Sequence, residues 1–438
     1  MENHVKIDRR RFMLGSATLA AAAGLAACGT NINGGSSGSS GSGSSGGSGG
    51  KVTLTQYYHE YGEAGTQQAV QRYAQQYMKQ HPNVTINIQW VPGDYGTKLS
   101  SAMAGPNPPD VFETTPTLQM VKQKQVAPLD DIFTSADKSD MFSNILAMNT
   151  IDGHIYGAKI VTDVGLLYYR KSMLKQAGVK PPTTMSELVS AAKTLTQGKV
   201  KGLFLGDDKG VAALAVLLPQ ANGVSFLQGN KVTFATQAAA EALHTLVDLN
   251  QQGSLLVGYQ PDYLEPDAFI NGLCAMQWTG LWVMPAVKKA LGDDFGVLPL
   301  PPVSSAGKPV TFLGGWSECV SPKSSNVAAA KKYVQWLWLN NKADERDFNL
   351  SYGFHLPPRK SIADSAAPLK TGPAEQAVGI LNKYASFLPA SWDSTMNGYY
   401  TDAATSMLDN NLSVPATLAQ LQSAQARCQN ELNQEMQG

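Results

Sequence analysis

KVTLTQYYHEYGEAGTQQAVQRYAQQYMKQHPNVTINIQWV, residues 51–91, is the stretch on which the fold turns. Lys51 to Tyr58 alternates apolar and polar residues before ending in aromatics, the period of a half-buried strand. Helical spacing follows from Gln67 through Met78 and closes before His81-Pro82, and Val84 to Val91 alternates again as a second strand. Strand, helix and strand within about 40 residues predict a βαβ unit, with a parallel pair and a right-handed crossover. Ligands of such sheets bind beyond the carboxyl ends of the strands, which puts Tyr58, His59 and Glu60 at a site edge.

Upstream, Arg9, Arg10 and Arg11 precede Phe12, and an uncharged run rich in Ala and Leu reaches Cys28, the layout of a signal peptide. The run is too short for a spanning helix, which needs about 20 residues. The arginines, with Asp8 before and Phe12 after, resemble the twin-arginine export motif. Leu25-Ala26-Ala27-Cys28 resembles a bacterial lipobox, whose cysteine becomes the lipidated first residue of the mature chain. Gly34 to Gly50 holds only Gly and Ser and so has nothing to bury. The expected organisation is a leader over 1–28, a tether over 29–50 with a reach of roughly 25 Å, and a domain outside the cell that stays lipid-anchored at the membrane surface.

Nearly 390 residues remain after the tether, enough for two lobes. The 34 basic and 34 acidic residues cancel, and no basic block or basic aromatic stripe follows residue 50, so nucleic acid is a poor partner. The four cysteines show no CxxC or metal-type spacing; beyond Cys28, buried thiols with at most one disulfide are expected among Cys274, Cys319 and Cys428. The six histidines are scattered, with no HExxH. After residue 50, GxSxG, GxGxxG and the P-loop pattern are missing too, so neither a metal nor any other cofactor is expected. Low charge with many Gln, Asn, Thr and Tyr suits an uncharged polar ligand.

Further along, Pro109 to Glu113 reads as a short strand ending in a carboxylate, and Val164 to Tyr169 as an apolar one. A helix from about Lys171 to Ala177 has Gly178 as its C-cap and Pro181-Pro182 as a stop. Thr184 caps the next helix, with Glu187 placed for a capping box. These pieces carry a resemblance. Pro109-Asp110-Val111, Asp152-Gly153-His154-Ile155-Tyr156-Gly157, Tyr168-Tyr169-Arg170-Lys171 and Ala177 to Thr184 look like the signature run of the extracellular solute-binding proteins of sugar-type ABC transporters (family 1, maltose-binding-protein-like). Gly272 to Met276, Gly280-Leu281-Trp282, Phe295 to Pro299, Gly314-Gly315-Trp316 and Tyr352 to Pro357 continue it in family order. The family usually has Asn at Arg170 and Trp at Met185, which leaves the cap at the Lys171 helix open.

The resemblance implies an α/β, two-lobed periplasmic-binding-protein fold of type II, with hinged lobes that each carry a mixed β-sheet flanked by helices. Lobe 1 is expected over 51–162 with 306–345, and lobe 2 over 163–305 with 346–438. Crossings are placed near Lys159–Val164, Leu298–Thr311 and Asn340–Tyr352. A sugar site needs flat aromatics for the ring face and fixed polar groups for the hydroxyl rim. Trp316 is the leading aromatic, with Trp278, Trp282 and Trp392 beside it; Trp336, in KKYVQWLWLNN, reads as core. The polar candidates are Asp163, Glu113, Glu60, Thr114 and Tyr58. Arg359 either points into the cleft toward an anionic substituent or sits in solvent.

The expected function is capture of a carbohydrate, an oligosaccharide foremost, by a monomeric, lipid-anchored binding protein that hands it to an ABC permease without cleaving it. A glycerophosphodiester or other polyol is the alternative cargo, kept open by Tyr58-His59-Glu60. From another class comes a secreted glycoside hydrolase using two carboxylates such as Glu113 and Asp163.

Overall fold

The computed structural model describes residues 50–260 and 262–437. The expected leader, Cys28 and all of the expected tether except Gly50 lie outside the described residues. Two sheets organise the rest. Their strands, in chain order, are β1 (Val52–His59), β2 (Val84–Val91), β3 (Val111–Thr114), β4 (Ala158–Lys159), β5 (Asp163–Arg170), β6 (Lys201–Phe204), β7 (Cys274–Gly280), β8 (Phe295–Leu298), β9 (Thr311–Gly314), β10 (Ser317–Val320) and β11 (Ala385–Ser386).

The first sheet has the order β2-β1-β3-β10-β4. β1 and β2 run parallel from Val52 opposite Val84 to His59 opposite Val91, so the βαβ unit is present, with helix Thr66–Gln80 as its crossover. That helix buries Ala69, Val70, Tyr73, Ala74 and Tyr77, one stripe at three- and four-residue spacing. β3 adds in parallel, whereas β10 and β4 pair antiparallel, so the sheet is mixed.

The second sheet has the order β11-β9-β5-β7-β6, with β8 also paired to β5. DVGLLYYR of β5 is buried through its first six residues, and CAMQWTG of β7 throughout. Apolar clusters on both faces explain those unbroken runs. One cluster takes in helix Met185–Leu195, whose Thr184–Glu187 capping box is formed as expected. At helix Lys171–Gln176 the cap comes from elsewhere: Asp294 accepts from the Ser172 backbone N–H at 2.7 Å and from Arg170 Nε at 3.2 Å. Arg170 thus anchors the carboxylate that caps the helix it precedes.

Two crossings differ from expectation. β9 pairs with β5 through Leu313–Val164 and Gly314–Asp163, so residues 311–314 stay in the second sheet and the chain passes to the first at Gly315-Trp316, not before 306. The last return, expected at 345/346, is spread over residues 348–359, where Leu356 already packs in the second sheet's core. Helix Lys342–Leu350 buries Phe348 in the first lobe's core, and Arg359 still bridges Met141 there. Sequence periodicity carries no information on which sheet a short strand joins; pairing with β5 decides it. Cys274, Cys319 and Cys428 are buried and free.

Candidate functional site

A cavity of about 830 Å³ opens between the ends of the two sheets. From the first sheet come the loop His59–Ala64 beyond β1, Thr115 beyond β3, and Trp316. From the second come Asp163 at the start of β5, Phe312 of β9, the loop 264–267 before β7, and Trp282 just after it. Tyr352 and His355 close the back. The carboxyl end of β1 is therefore a wall of the site, as the βαβ geometry requires.

One wall is an aromatic stack. The His59 ring lies 4.3 Å from Trp316 and 3.8 Å from Tyr61, centroid to centroid, and Tyr95 meets Trp316 edge-on at 5.5 Å. Beneath it Glu113 is wholly buried and takes the Tyr61 hydroxyl at 2.5 Å, the His59 Nδ1 at 2.8 Å and the His59 backbone N–H at 2.9 Å. Glu113 therefore orients the wall from behind and does not face the cavity. Gly315, at φ +91, lets the backbone pass against the Val161 carbonyl and so sets where Trp316 stands.

The opposite wall is held by Gln277, buried in β7, whose amide donates to the carbonyls of Tyr263 and Glu265 at 3.1 and 2.7 Å. Trp282 ties the same loop down by donating from Nε1 to the Leu264 carbonyl at 2.9 Å. The loop thus presents Glu265 across the cavity. A Cβ at Gly62 would come within 2.7 Å of a Glu265 carboxylate oxygen, so glycine there lets the two walls approach. Burial pushes the Glu265 carboxyl up, and Glu63 and Asp267 push it further.

Between the walls His355 joins two carboxylates, Asp163 at 2.6 Å through Nδ1 and Glu63 at 3.3 Å through Nε2. Burial pulls its pKa down, but Asp163 and Glu63 outweigh burial and hold it at about 10. His355 is an imidazolium at neutral pH. Sequence reading passed over Glu63, Glu265 and His355; Glu63, three residues beyond Glu60 in the same loop, was the one with a signal to follow.

The structure brings Glu60, Asp163, Trp282 and Trp316 together around the cavity. It keeps the other candidates out. Tyr58 is buried in the first lobe's core, where its hydroxyl accepts from Gln56 at 2.7 Å. Trp278 is buried under Gly165 on the inner face of β7, and Trp392 packs edge-on against Phe226 at 5.2 Å. Thr114 ends β3 one residue short of the lining Thr115. Arg359 is neither in the cleft nor in solvent: it is buried, bound to Glu345 at 2.9 Å and Asp137 at 3.1 Å. Trp336 is only half-buried; its neighbour Trp338 is the core residue. In each case the side chain leaves the face of its strand or helix that packs, and position along the chain says nothing about the site.

Residues 72–377 match the family model for a bacterial extracellular solute-binding protein. An uncharacterised ABC transporter extracellular-binding protein of Pyrococcus horikoshii is 25% identical over 380 residues, 80% of this chain and 83% of that one. The multiple sugar-binding protein of Streptococcus mutans is 21% identical over 304 residues, 66% and 71% of the two chains. Among solved structures, an ABC transporter solute-binding protein of Thermotoga lettingae bound with alpha-D-tagatose superposes with a TM-score of 0.74 at 18% identity, covering 87% of this chain and all of that one. Among the described residues no helix is long and apolar enough to cross a membrane.

Proposed function

The chain belongs to the bacterial extracellular solute-binding proteins of ABC transporters, a family of binding proteins and not of enzymes, and from that premise we propose that it captures a sugar, with room for an oligosaccharide, and delivers it to a permease. The observation that carries this is the cavity itself: Trp316 on one wall and Trp282 on the other offer flat faces to a ring, with carboxylates at the rim for hydroxyls. The sugar-binding relative from Streptococcus mutans supports the same ligand class.

A ligand that touches both walls favours the closed arrangement of a two-lobed protein, and one held by a single wall does not. We place the hinge at the three crossings near Ile160–Thr162, at Gly315-Trp316 and over residues 348–359. Lipid attachment at Cys28 would keep this capture at the outer membrane surface, close to a permease. Its test is fractionation of Cys28→Ser: release from membranes is expected, and retention removes the anchor.

The phosphodiester alternative has less support. It looked to Arg359 to meet the phosphate, and Arg359 is spent on Glu345 and Asp137 outside the cleft. The hydrolase reading loses the pair it named, since Glu113 is buried behind the aromatic wall and Asp163 is held by His355. A thermal-shift screen of the purified protein against mono-, di- and oligosaccharides, polyols and glycerophosphodiesters tests the proposal, because a ligand of the native state raises the melting temperature by mass action. Shifts confined to sugars, with the sugar recovered uncut, are expected. Shifts with glycerophosphodiesters alone would overturn it.

A further inference from the structure

The chain as a whole is neutral, but the cavity is not. Five carboxylates line it, on Glu60, Glu63, Asp163, Glu265 and Asp267, against the cations of Lys289 and His355. His355 is moreover already spent between Asp163 and Glu63. The excess is negative, and it is concentrated where Glu265 lies against Gly62 and Glu63 against Gly353, close enough for Glu63 to act on Glu265.

The hydrogen-bonding inventory points the same way. A site for neutral hydroxyls offers donors as well as acceptors, because each hydroxyl carries one donor and two lone pairs. Here several donors of the wall are taken, while the Trp316 Nε1–H, the Thr115 hydroxyl and the Lys289 ammonium have no partner among the described residues. Tyr61 gives its hydroxyl proton to Glu113, Tyr352 gives its own to Asp347 at 3.1 Å, and Trp282 gives its N–H to the Leu264 carbonyl. The acceptors are not taken. Among the described residues the carboxylates of Glu60, Glu265 and Asp267 have no hydrogen-bond or ion-pair partner in the protein. Free carboxylate acceptors thus outnumber the free donors of the cavity. An ammonium group, with three N–H donors, a positive charge and no acceptor, is the complement of that wall.

We propose that the ligand of this cleft is an amine-bearing sugar, its ring against the tryptophans and its ammonium group between Glu63 and Glu265. The assignment rests on the sugar-binding reading above and narrows it. Burial first, then Glu63 and Asp267, push the Glu265 carboxyl up, and a bound cation relieves the part that the two acids impose. Lys289, exposed at the rim on helix Met284–Leu291, is a single cation against these acids and can swing into solvent.

Calorimetric titration of the full-length protein at about pH 6, where a sugar amine is protonated, tests this with matched pairs. Glucosamine against glucose, and the β-1,4-linked glucosamine disaccharide against cellobiose, differ only in ammonium for hydroxyl at C2. Neutral xylo-, manno- and malto-oligosaccharides and the ring-free amine spermidine complete the panel. The tightest ligand is expected to be an amino sugar, about tenfold tighter than its hydroxyl partner, with the preference shrinking as salt rises. Glu265→Gln is expected to bring the ratio within each pair toward one. Asp267→Asn, on an exposed position, gives a second reading of the same ratio should Glu265→Gln not fold. If a neutral sugar binds tightest, the charge assignment fails and the sugar reading stands. If spermidine binds as well as the amino sugars, the ring is not recognised and the assignment fails. If no sugar of either kind binds, both readings fall.

Discussion

His355 and Arg359 stand four residues apart, both buried, the first between two carboxylates and the second among three, yet they belong to different machines. His355 takes Asp163 from the start of the second sheet's central strand and Glu63 from the loop beyond β1, so its cluster spans the cleft. Arg359 takes Glu345 and Asp137, and adds the Leu339 carbonyl at 2.6 Å, so its cluster ties helices together behind the first sheet. The guanidinium, with five donors in a rigid fork, suits a fixed joint; the imidazolium sits where a ligand arrives. What separates a structural cation from one in a binding site is where its partners come from.

The largest expected effect is at the fixed joint. Arg359→Ala should lower unfolding free energy by about 3–5 kcal/mol, since it strands two buried carboxylates. Denaturant unfolding measures the loss, and the ligand Kd of the surviving native protein should not move. A weakened Kd with stability intact would return Arg359 to the cleft.

His355→Gln should cost less, about 1.5–3 kcal/mol at neutral pH, because one hydrogen bond can be kept. Its signature is the pH dependence. The folded pKa of about 10 lies above the unfolded value of about 6.5, so the His355 contribution is complete below about pH 6.5 and is lost as pH rises through about 10. The stability gap between parent and variant should close over that window in thermal melts. A gap that stays constant would show that Asp163 and Glu63 do not hold the charge.

Trp316→Ala should weaken sugar binding by about 1–3 kcal/mol in calorimetry. Trp392→Phe, in the packed aromatic cluster with Phe226 and Tyr400, should leave Kd where it was. Equal effects from the two would erase the distinction between wall and core tryptophans. Smallest is Arg72→Ala. Arg72 pairs with Asp347 at 2.6 Å but is half exposed, so less than about 1 kcal/mol of stability is at stake. A larger loss would mean that Asp347 needs Arg72 to keep its hold on Tyr352 at the back of the cleft.

The same contrast measures what could be read beforehand. The βαβ unit over 52–91 was legible because period two and period 3.6 are written in neighbouring side chains, and the Thr184 capping box because its partners are three residues apart. The resemblance placed Trp282 and Trp316 near a site, and both line the cavity. Trp278 and Trp392 carried the same chemical signal and went into the core, since a tryptophan's address depends on which face of its element is covered. Glu265 was not legible at all. Its place in the wall depends on Gln277 holding its carbonyl and on Gly62 standing opposite, a contact across some two hundred residues.

The sequence by itself determined the strand and helix periods of the βαβ unit and the Thr184 cap, which rest on neighbours within a turn or two of the chain, and with them the family pattern. It could also be read as neutral, and so as suited to an uncharged ligand. Only the tertiary structure decided that β9 belongs with β5, that Arg359 is a joint and His355 a bridge, and that the balanced charges of the chain sort into an acidic cleft. Charge and burial at a site are sums over neighbours in space, and the chain's order does not list those neighbours.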